Sequence, residues 1–210
     1  MGRSSSNTDE KLIRAGMCLA RKKGLKNFTV RELCTRCGVN LGMFHYYFKT
    51  RETFDAAVLN SLYGELMSAI NVEVLPSRTP RQNIEAALRA VYVFAGKNRR
   101  LISMLIGDAF SGDRQIVRLV AQLFSRHVSV LMNELKRAQN QGQLRTQTVR
   151  DALLLLLPQV PLAQGVLGLA ERLGKNFPPK LYRQVLEVSG QEDTFRRAQF
   201  MLKAVLGDEK

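Results

Sequence analysis

Acidic residues are scarce in this chain. Its 210 residues hold 18 Asp and Glu against 32 Lys and Arg, a formal net charge of +14 and an isoelectric point near 10.2. A surplus of that size asks for an anionic partner, either nucleic acid or an acidic membrane face. Chemistry-bearing clusters are scarce as well. We find no paired carboxylates at a useful spacing, no glycine-rich phosphate loop, and with only two histidines no Ser-His-Asp set beyond chance. An enzyme is therefore not expected, and nothing calls for a cofactor. Three cysteines, an odd number with two of them three residues apart, suit a reducing cytoplasm better than a disulfide framework. The longest apolar run, Ala152 to Leu157, meets Pro158, far short of the roughly 20 residues a membrane helix needs. The opening Met1-Gly2-Arg3-Ser4-Ser5-Ser6-Asn7 shows no signal peptide. The expectation is a cytoplasmic protein with no membrane partner.

What is present is a core and a helical rhythm. Hydrophobic residues make up 45% of the chain without low complexity, enough for a packed interior. No alternating run is long enough to argue for a strand, so the fold class is all-α. Asn7 with Glu10 reads as a capping box opening a helix that Gly24 ends. Thr29 with Glu32 opens a short helix to Cys37, stopped by Gly38. Asn40 caps a third, and Thr50 a long one from Arg51 to about Val72. Thr79-Pro80 starts another, predicted to end near Lys97 and to be followed by a shorter helix from about Arg99 to Phe110. A long helix spans Asp113 to Gln141. Thr148 with Asp151 opens a leucine-rich helix that Pro158 and Pro161 must kink or break. Pro178-Pro179 opens a segment to Val188, and Glu192 to Leu206 forms the last helix.

Charge is concentrated at the front. The first 51 residues hold eleven cations against three acids, a surplus of +8, leaving +6 for the remaining 159. Within this stretch, Thr29 to Phe48 reads as capped helix, glycine turn, apolar residue, second cap and second short helix. Gly38 supplies the positive-φ corner and Val39 fills the angle between the helices. A helix-turn-helix of this form lays its second helix in a DNA major groove while the first braces it.

These residues resemble the TetR family of repressors over about residues 8–60. The matching features are the Thr29 start, the Gly38-Val39 turn, the Asn40 cap, Gly42, the Tyr47-Phe48-Lys49 ending and the Arg51-Glu52 opening of the next helix. The resemblance implies an all-helical homodimer, with a helix-turn-helix DNA-binding domain over 1–51 and a helical effector-binding and dimerisation domain over 52–210. It assigns Thr29 and Lys49 to phosphates, Arg31 to a base or phosphate, and Leu41, Gly42 and Met43 to base edges. Gly42 would allow close approach, and Leu41 and Met43 could touch thymine methyls. Asn40, His45, Tyr46, Tyr47 and Arg51 complete the expected DNA-binding set, with Tyr46 a better contact than the more packed Tyr47. Two residues depart from the family pattern, His45 for a tyrosine and Met43 for a small hydroxyl residue. Both remove hydroxyl donors. His45 reads either as a neutral hydrogen-bond donor or as a pH switch. Cys34 and Cys37 spell CxxC but fall where the family has small core residues, with no second CxxC or His cluster to complete a metal site.

The resemblance also implies that the long helix after residue 113 lines an effector cavity. Tyr92, Phe94, Met104, Phe110, Phe124, His127, Gln159 and Gln164 are the ligand-binding candidates, with ordinary core as the competing explanation. His127 would then be satisfied by a carbonyl or water. Aromatic and Met residues with few acids suggest a small apolar or weakly anionic effector. The two helices expected at Thr148–Leu173 and Glu192–Leu206 are expected to pair across a two-fold homodimer interface. The functional expectation is a ligand-responsive repressor on a pseudo-palindromic double-stranded DNA operator. The alternatives are a basic helical protein on anionic membrane, supported only by Arg21-Lys22-Lys23, and a helical enzyme.

Overall fold

The computed structural model describes residues 8–176 and 178–207; the side chains at 123, 124, 159–163, 175, 188, 191 and 192 also fall outside the description. Every regular element among the described residues is helical. They are α1 (Thr8–Lys23), α2 (Val30–Cys37), α3 (Leu41–Phe48), α4 (Arg51–Glu73), α5 (Pro80–Phe110), α6 (Arg114–Asn140), α7 (Val149–Leu156), α8 (Gln159–Leu173), α9 (Pro179–Ser189) and α10 (Gln191–Leu206), with a 3-10 turn at Gly174–Asn176. The expected Asn7 cap lies outside the described residues.

Most boundaries follow from caps. The Thr29, Asn40, Thr50, Thr79 and Thr148 side chains each accept a backbone N–H from the first turn of the helix they precede. Thr79–Gln82 and Thr148–Asp151 close full capping boxes. Thr29 makes only half of one, because the Glu32 carboxylate is taken by Lys23 at 2.6 Å. Pro158 falls between α7 and α8, at the break expected there. Pro161 is tolerated within the first turn of α8, where its missing N–H has no intrahelical partner to lose.

One expected boundary fails. The stretch from Pro80 to Phe110 is a single 31-residue helix rather than two. Gly96-Lys97-Asn98 does not stop it; Asn98 is buried with both its oxygen and its amide nitrogen paired. Its Nδ2 donates to the Phe94 carbonyl at 2.9 Å, and its Oδ1 accepts from Arg21 Nε at 2.8 Å. α5 is the central element, packed by α1, α4, α6, α8 and α10. Its closest neighbour is α8, where Gly168 lets the helices touch: a Cβ there would lie 2.5 Å from the Arg99 carbonyl oxygen.

The largest core begins in the first three helices and does not end there. Leu12, Leu33, Phe44 and Phe48 are joined in it by Phe54 and Leu62 of α4, Leu101 of α5 and Ile116 of α6. A second core gathers Ile84, Leu131, Leu135, Leu156, Leu202 and Val205 from α5, α6, α7 and α10.

Candidate nucleic-acid interface and effector cavity

The helix-turn-helix is held from beneath by aromatic packing. Phe44, Phe48 and Phe28 surround Phe54 with ring centroids 5.0–6.5 Å apart. Burial of each such ring is worth about 1.5–3 kcal/mol over exposure. Gly38 adopts φ 63°, ψ 36°, and the Gly38 and Val39 amides donate back to the Thr35 and Cys34 carbonyls at 3.1 and 3.0 Å. This left-handed corner favours glycine. Val39 packs half-buried against the core, so the turn points α3 outward from a rigid base.

α3 presents its leading edge to solvent. Leu41 is 46% exposed, Gly42 is open, and Met43 is half-buried with its amide on Asn40 Oδ1 at 2.9 Å. Farther along, Tyr46 is 76% exposed while Tyr47 packs half-buried beside Phe48, the division expected between the two. His45 is exposed, and its Nδ1 pairs with the Lys49 carbonyl at 3.2 Å. Lys49 itself has φ 57°, ψ −56°, the one positive-φ residue other than glycine among those described. Thr50 N–H reaches the Phe48 carbonyl around it, a γ-turn that is strained for an L-residue. Thr29, Arg31, Asn40 and Lys49 are all exposed.

Arg51 departs from the expected set. Its guanidinium turns inward, Nε to Asp55 at 2.7 Å, Nη1 to the Phe28 carbonyl at 2.7 Å, and Nη2 to the Leu25 carbonyl, while it lies 4.3 Å from the Phe28 ring centroid. Burial pushes the Asp55 carboxyl up, and the Arg51 hydrogen bond and charge pull it part of the way back. The side chain is a staple tying the α1–α2 loop to α4, so its cation is spent internally. Cys34 and Cys37 are buried in the same core. Burial pushes both thiols above their ordinary range, in Cys34 with help from Cys37 and in Cys37 against Lys11 and Arg36; thiols so raised are poor nucleophiles.

A cavity of about 450 Å³ lies between α4, α5 and α6. Of the ligand-binding candidates it takes Phe94, His127 and Phe110, the last 90% exposed. The side chains of Phe124 and Gln159 lie outside the described residues. Three candidates face elsewhere. Tyr92 packs against Phe195 with the rings tilted and their centroids 5.3 Å apart, and points its hydroxyl at the Ser189 carbonyl. Met104 packs beneath Gly24, where a Cβ would lie 2.4 Å from its sulfur. Gln164 is sealed near Gly96 in the α5–α8 contact, its Nε2 3.4 Å from the Ser189 carbonyl.

The polar part of the wall was missed at two residues, Tyr63 and Asn98. His127 meets a side chain, Tyr63, that was not among the expected partners. Its backbone N–H donates to the Tyr63 hydroxyl oxygen at 3.1 Å, and the same hydroxyl pairs with His127 Nδ1. Burial lowers the His127 pKa to about 4. Burial likewise raises Tyr63 to about 12, against the His127 amide and Arg126. Both groups are neutral, and the Tyr63 hydroxyl proton has no other acceptor among the described residues, so it is assigned to Nδ1 of the Nε2–H tautomer. A reading of α4 for side chains three and four apart, Leu59, Leu62, Tyr63 and Leu66, could have flagged Tyr63. Asn98 carried no signal, because it read as a helix stop.

Comparison with known proteins bears on the first part of this geometry. Residues 12–58 match the sequence family described as "Bacterial regulatory proteins, tetR family". Among solved structures, a TetR transcription regulator from Haloarcula marismortui superposes with TM-score 0.74 at 16% identity, covering 96% of this chain and 99% of that one. A TetR-family regulator from Rhodococcus sp. does so at 0.73 and 16%, with the same coverage.

The chain carries the TetR-family DNA-binding domain over residues 12–58.

It is therefore a DNA-binding transcriptional regulator with an N-terminal helix-turn-helix and a helical C-terminal domain. More distant likeness extends to the nucleoid occlusion factor SlmA of Shewanella pealeana, 23% identical over 67% of this chain and 74% of that protein. The uncharacterized HTH-type transcriptional regulator YerO of Bacillus subtilis is 26% identical over 70% of this chain and 45% of that protein. The match over 12–58 ends inside α4, the helix that also walls the cavity. One element thus serves both regions.

Proposed function

We propose that this regulator is a cytoplasmic, homodimeric repressor that binds a pseudo-palindromic operator and releases it when a small effector enters the α4–α5–α6 cavity. One observation carries the ligand response: the cavity and the helix-turn-helix core share side chains. Leu59, Leu62 and Leu101 belong to that core and also line the cavity, with Leu105, Ala109 and Val120 packed against it. Asn98, in the cavity wall, holds Arg21 near the end of α1, and Arg21 in turn pairs with Glu65 of α4 at 2.6 Å. An occupant that pushes on this wall therefore pushes on the platform of α3, because close-packed interiors transmit displacement rather than absorb it.

In this reading Thr29 and Lys49 meet phosphates, Arg31 a phosphate or base, and Leu41, Gly42 and Met43 base edges, with Asn40, His45, Tyr46 and Tyr47 beside them. Residues up to 51 form the reading unit, and the helices after it form the effector and dimer unit. Pairing through α8 and α10 is supported by the apolar side chains those helices leave in solvent, Val166, Leu169 and Phe200, which two copies would bury against each other.

The test is selection of bound sequences from random DNA, followed by affinity against salt. A dimer neutralising about eight phosphates should lose about three to five powers of ten between low and moderate salt, on a two-fold symmetric site with half-sites about 34 Å apart. A salt slope near zero, or a selected site without symmetry, would overturn it.

A further inference from the structure

We propose that the cavity selects an uncharged ligand, a largely hydrocarbon molecule carrying one hydrogen-bond donor that meets the Tyr63–His127 pair, and rejects carboxylates and ammonium ions. This narrows the apolar or weakly anionic class expected from composition, and it rests on the ligand-responsive reading above.

The wall decides the charge. Among its described residues none is Asp, Glu, Lys or Arg; the polar side chains are Tyr63, Asn98 and His127. Burial keeps His127 unprotonated and Tyr63 protonated at neutral pH, so neither offers a countercharge. Cations do stand outside the wall. Behind Asn98, the Arg21 guanidinium is already divided between Asn98 Oδ1 and the Glu65 carboxylate. Arg126 acts on Tyr63 from a solvent-exposed position and does not line the cavity. An ion entering this space would leave water for an apolar wall with no partner, a penalty of several powers of ten in affinity.

Hydrogen bonding decides the polar group. The Tyr63 hydroxyl gives its proton to His127 Nδ1 and receives the His127 amide, which leaves one acceptor lone pair on that oxygen. Asn98 has its oxygen on Arg21 and one amide proton on the Phe94 carbonyl. The acceptor at Tyr63 fits an O–H or N–H on an otherwise apolar body, in a volume within the range of small-molecule sites.

The experiment is calorimetric titration of the purified full-length chain at neutral pH with four probes of one shape: 4-phenylphenol, 4-methoxybiphenyl, biphenyl-4-carboxylate and 4-biphenylmethylammonium. We expect 4-phenylphenol to bind tightest, its methyl ether about tenfold weaker, and both ions at least about 100-fold weaker. Ala109→Phe should weaken 4-phenylphenol by about tenfold or more by narrowing the cavity. Ile106→Lys, at a partly exposed wall position, should raise carboxylate affinity by about tenfold or more. The proposal is overturned if the carboxylate binds wild type as tightly as the phenol, if no neutral probe binds, if Ala109→Phe changes nothing, or if the carboxylate gains nothing from the new cation. Release of selected operator DNA by 4-phenylphenol is scored separately. Binding without release supports the charge preference and removes the regulatory reading.

Discussion

The DNA-facing tip and the cavity are built by opposite rules. The tip is assembled from neighbours: between Thr29 and Thr50 each helix start is capped by a residue adjacent to it in sequence, and the turn is closed by Gly38 itself. Its working side chains point into water. The cavity is assembled from residues as far apart as Leu59 and His127, its polar groups are neutral, and the charges nearby stay outside its wall, Arg21 paired with Glu65 and Arg126 exposed to solvent. A surface meant for a polyanion keeps its cations solvated and available, whereas a pocket in the core must either pair a charge or exclude it. The two meet at α4 and at the Arg21–Asn98 bond, so opposite solvation does not mean independence.

Substitutions can break that comparison at either end. The largest effect is expected for Arg51→Ala. It leaves Asp55 buried without its partner and should cost about 3–5 kcal/mol in denaturant unfolding of the full chain. A loss below about 1 kcal/mol would show that the guanidinium is not a staple and would return Arg51 to the DNA-facing set. Next comes acid. The folded state holds His127 near pKa 4 against 6.5 for an ordinary histidine, so the unfolded chain takes up the proton more readily. The stability this contributes is complete above about pH 6.5 and is lost as pH falls through 4, about 3 kcal/mol in all. Stability measured across this window should fall more steeply in wild type than in His127→Leu; parallel curves would refute the assignment.

Smaller effects sharpen the tip. Asn40→Ala removes the acceptor for the Met43 amide and should cost about 1 kcal/mol of stability, with weaker operator binding because the first turn of α3 frays. Tyr46→Phe should leave the unfolding midpoint almost unmoved, within about 0.5 kcal/mol, because the ring is 76% exposed. If its hydroxyl meets a phosphate, operator affinity should still fall by about 1.5–3 kcal/mol, read by mobility shift. Equal affinity for the two proteins would remove Tyr46 from the interface.

Helix ends were largely legible because caps and prolines act on their nearest neighbours. Thr79, Thr148 and Pro158 each mark a boundary where the side chain or ring by itself decides the backbone hydrogen bonds. The exposed edge at Leu41, Gly42 and Tyr46 was legible for the same reason, once Gly38 and Asn40 set the direction of α3. The cavity list fared worse. Tyr92, Met104 and Gln164 are residue types that suit a pocket, but each found a different neighbour, in Phe195, Gly24 and Ser189. Helix periodicity says which side chains share a face and not which partner that face meets.

Sequence alone settled that this chain is all-helical, that a helix-turn-helix stands near its front, and where most helices begin, since each depends on contacts spanning a few residues. Tertiary structure alone decided that Asn98 continues a helix instead of ending it, that Arg51 turns inward, and that Tyr63 and His127 share a hydrogen bond across 64 residues of chain. Those outcomes depend on which partner waits in space, and a buried polar group takes whatever role its partner allows.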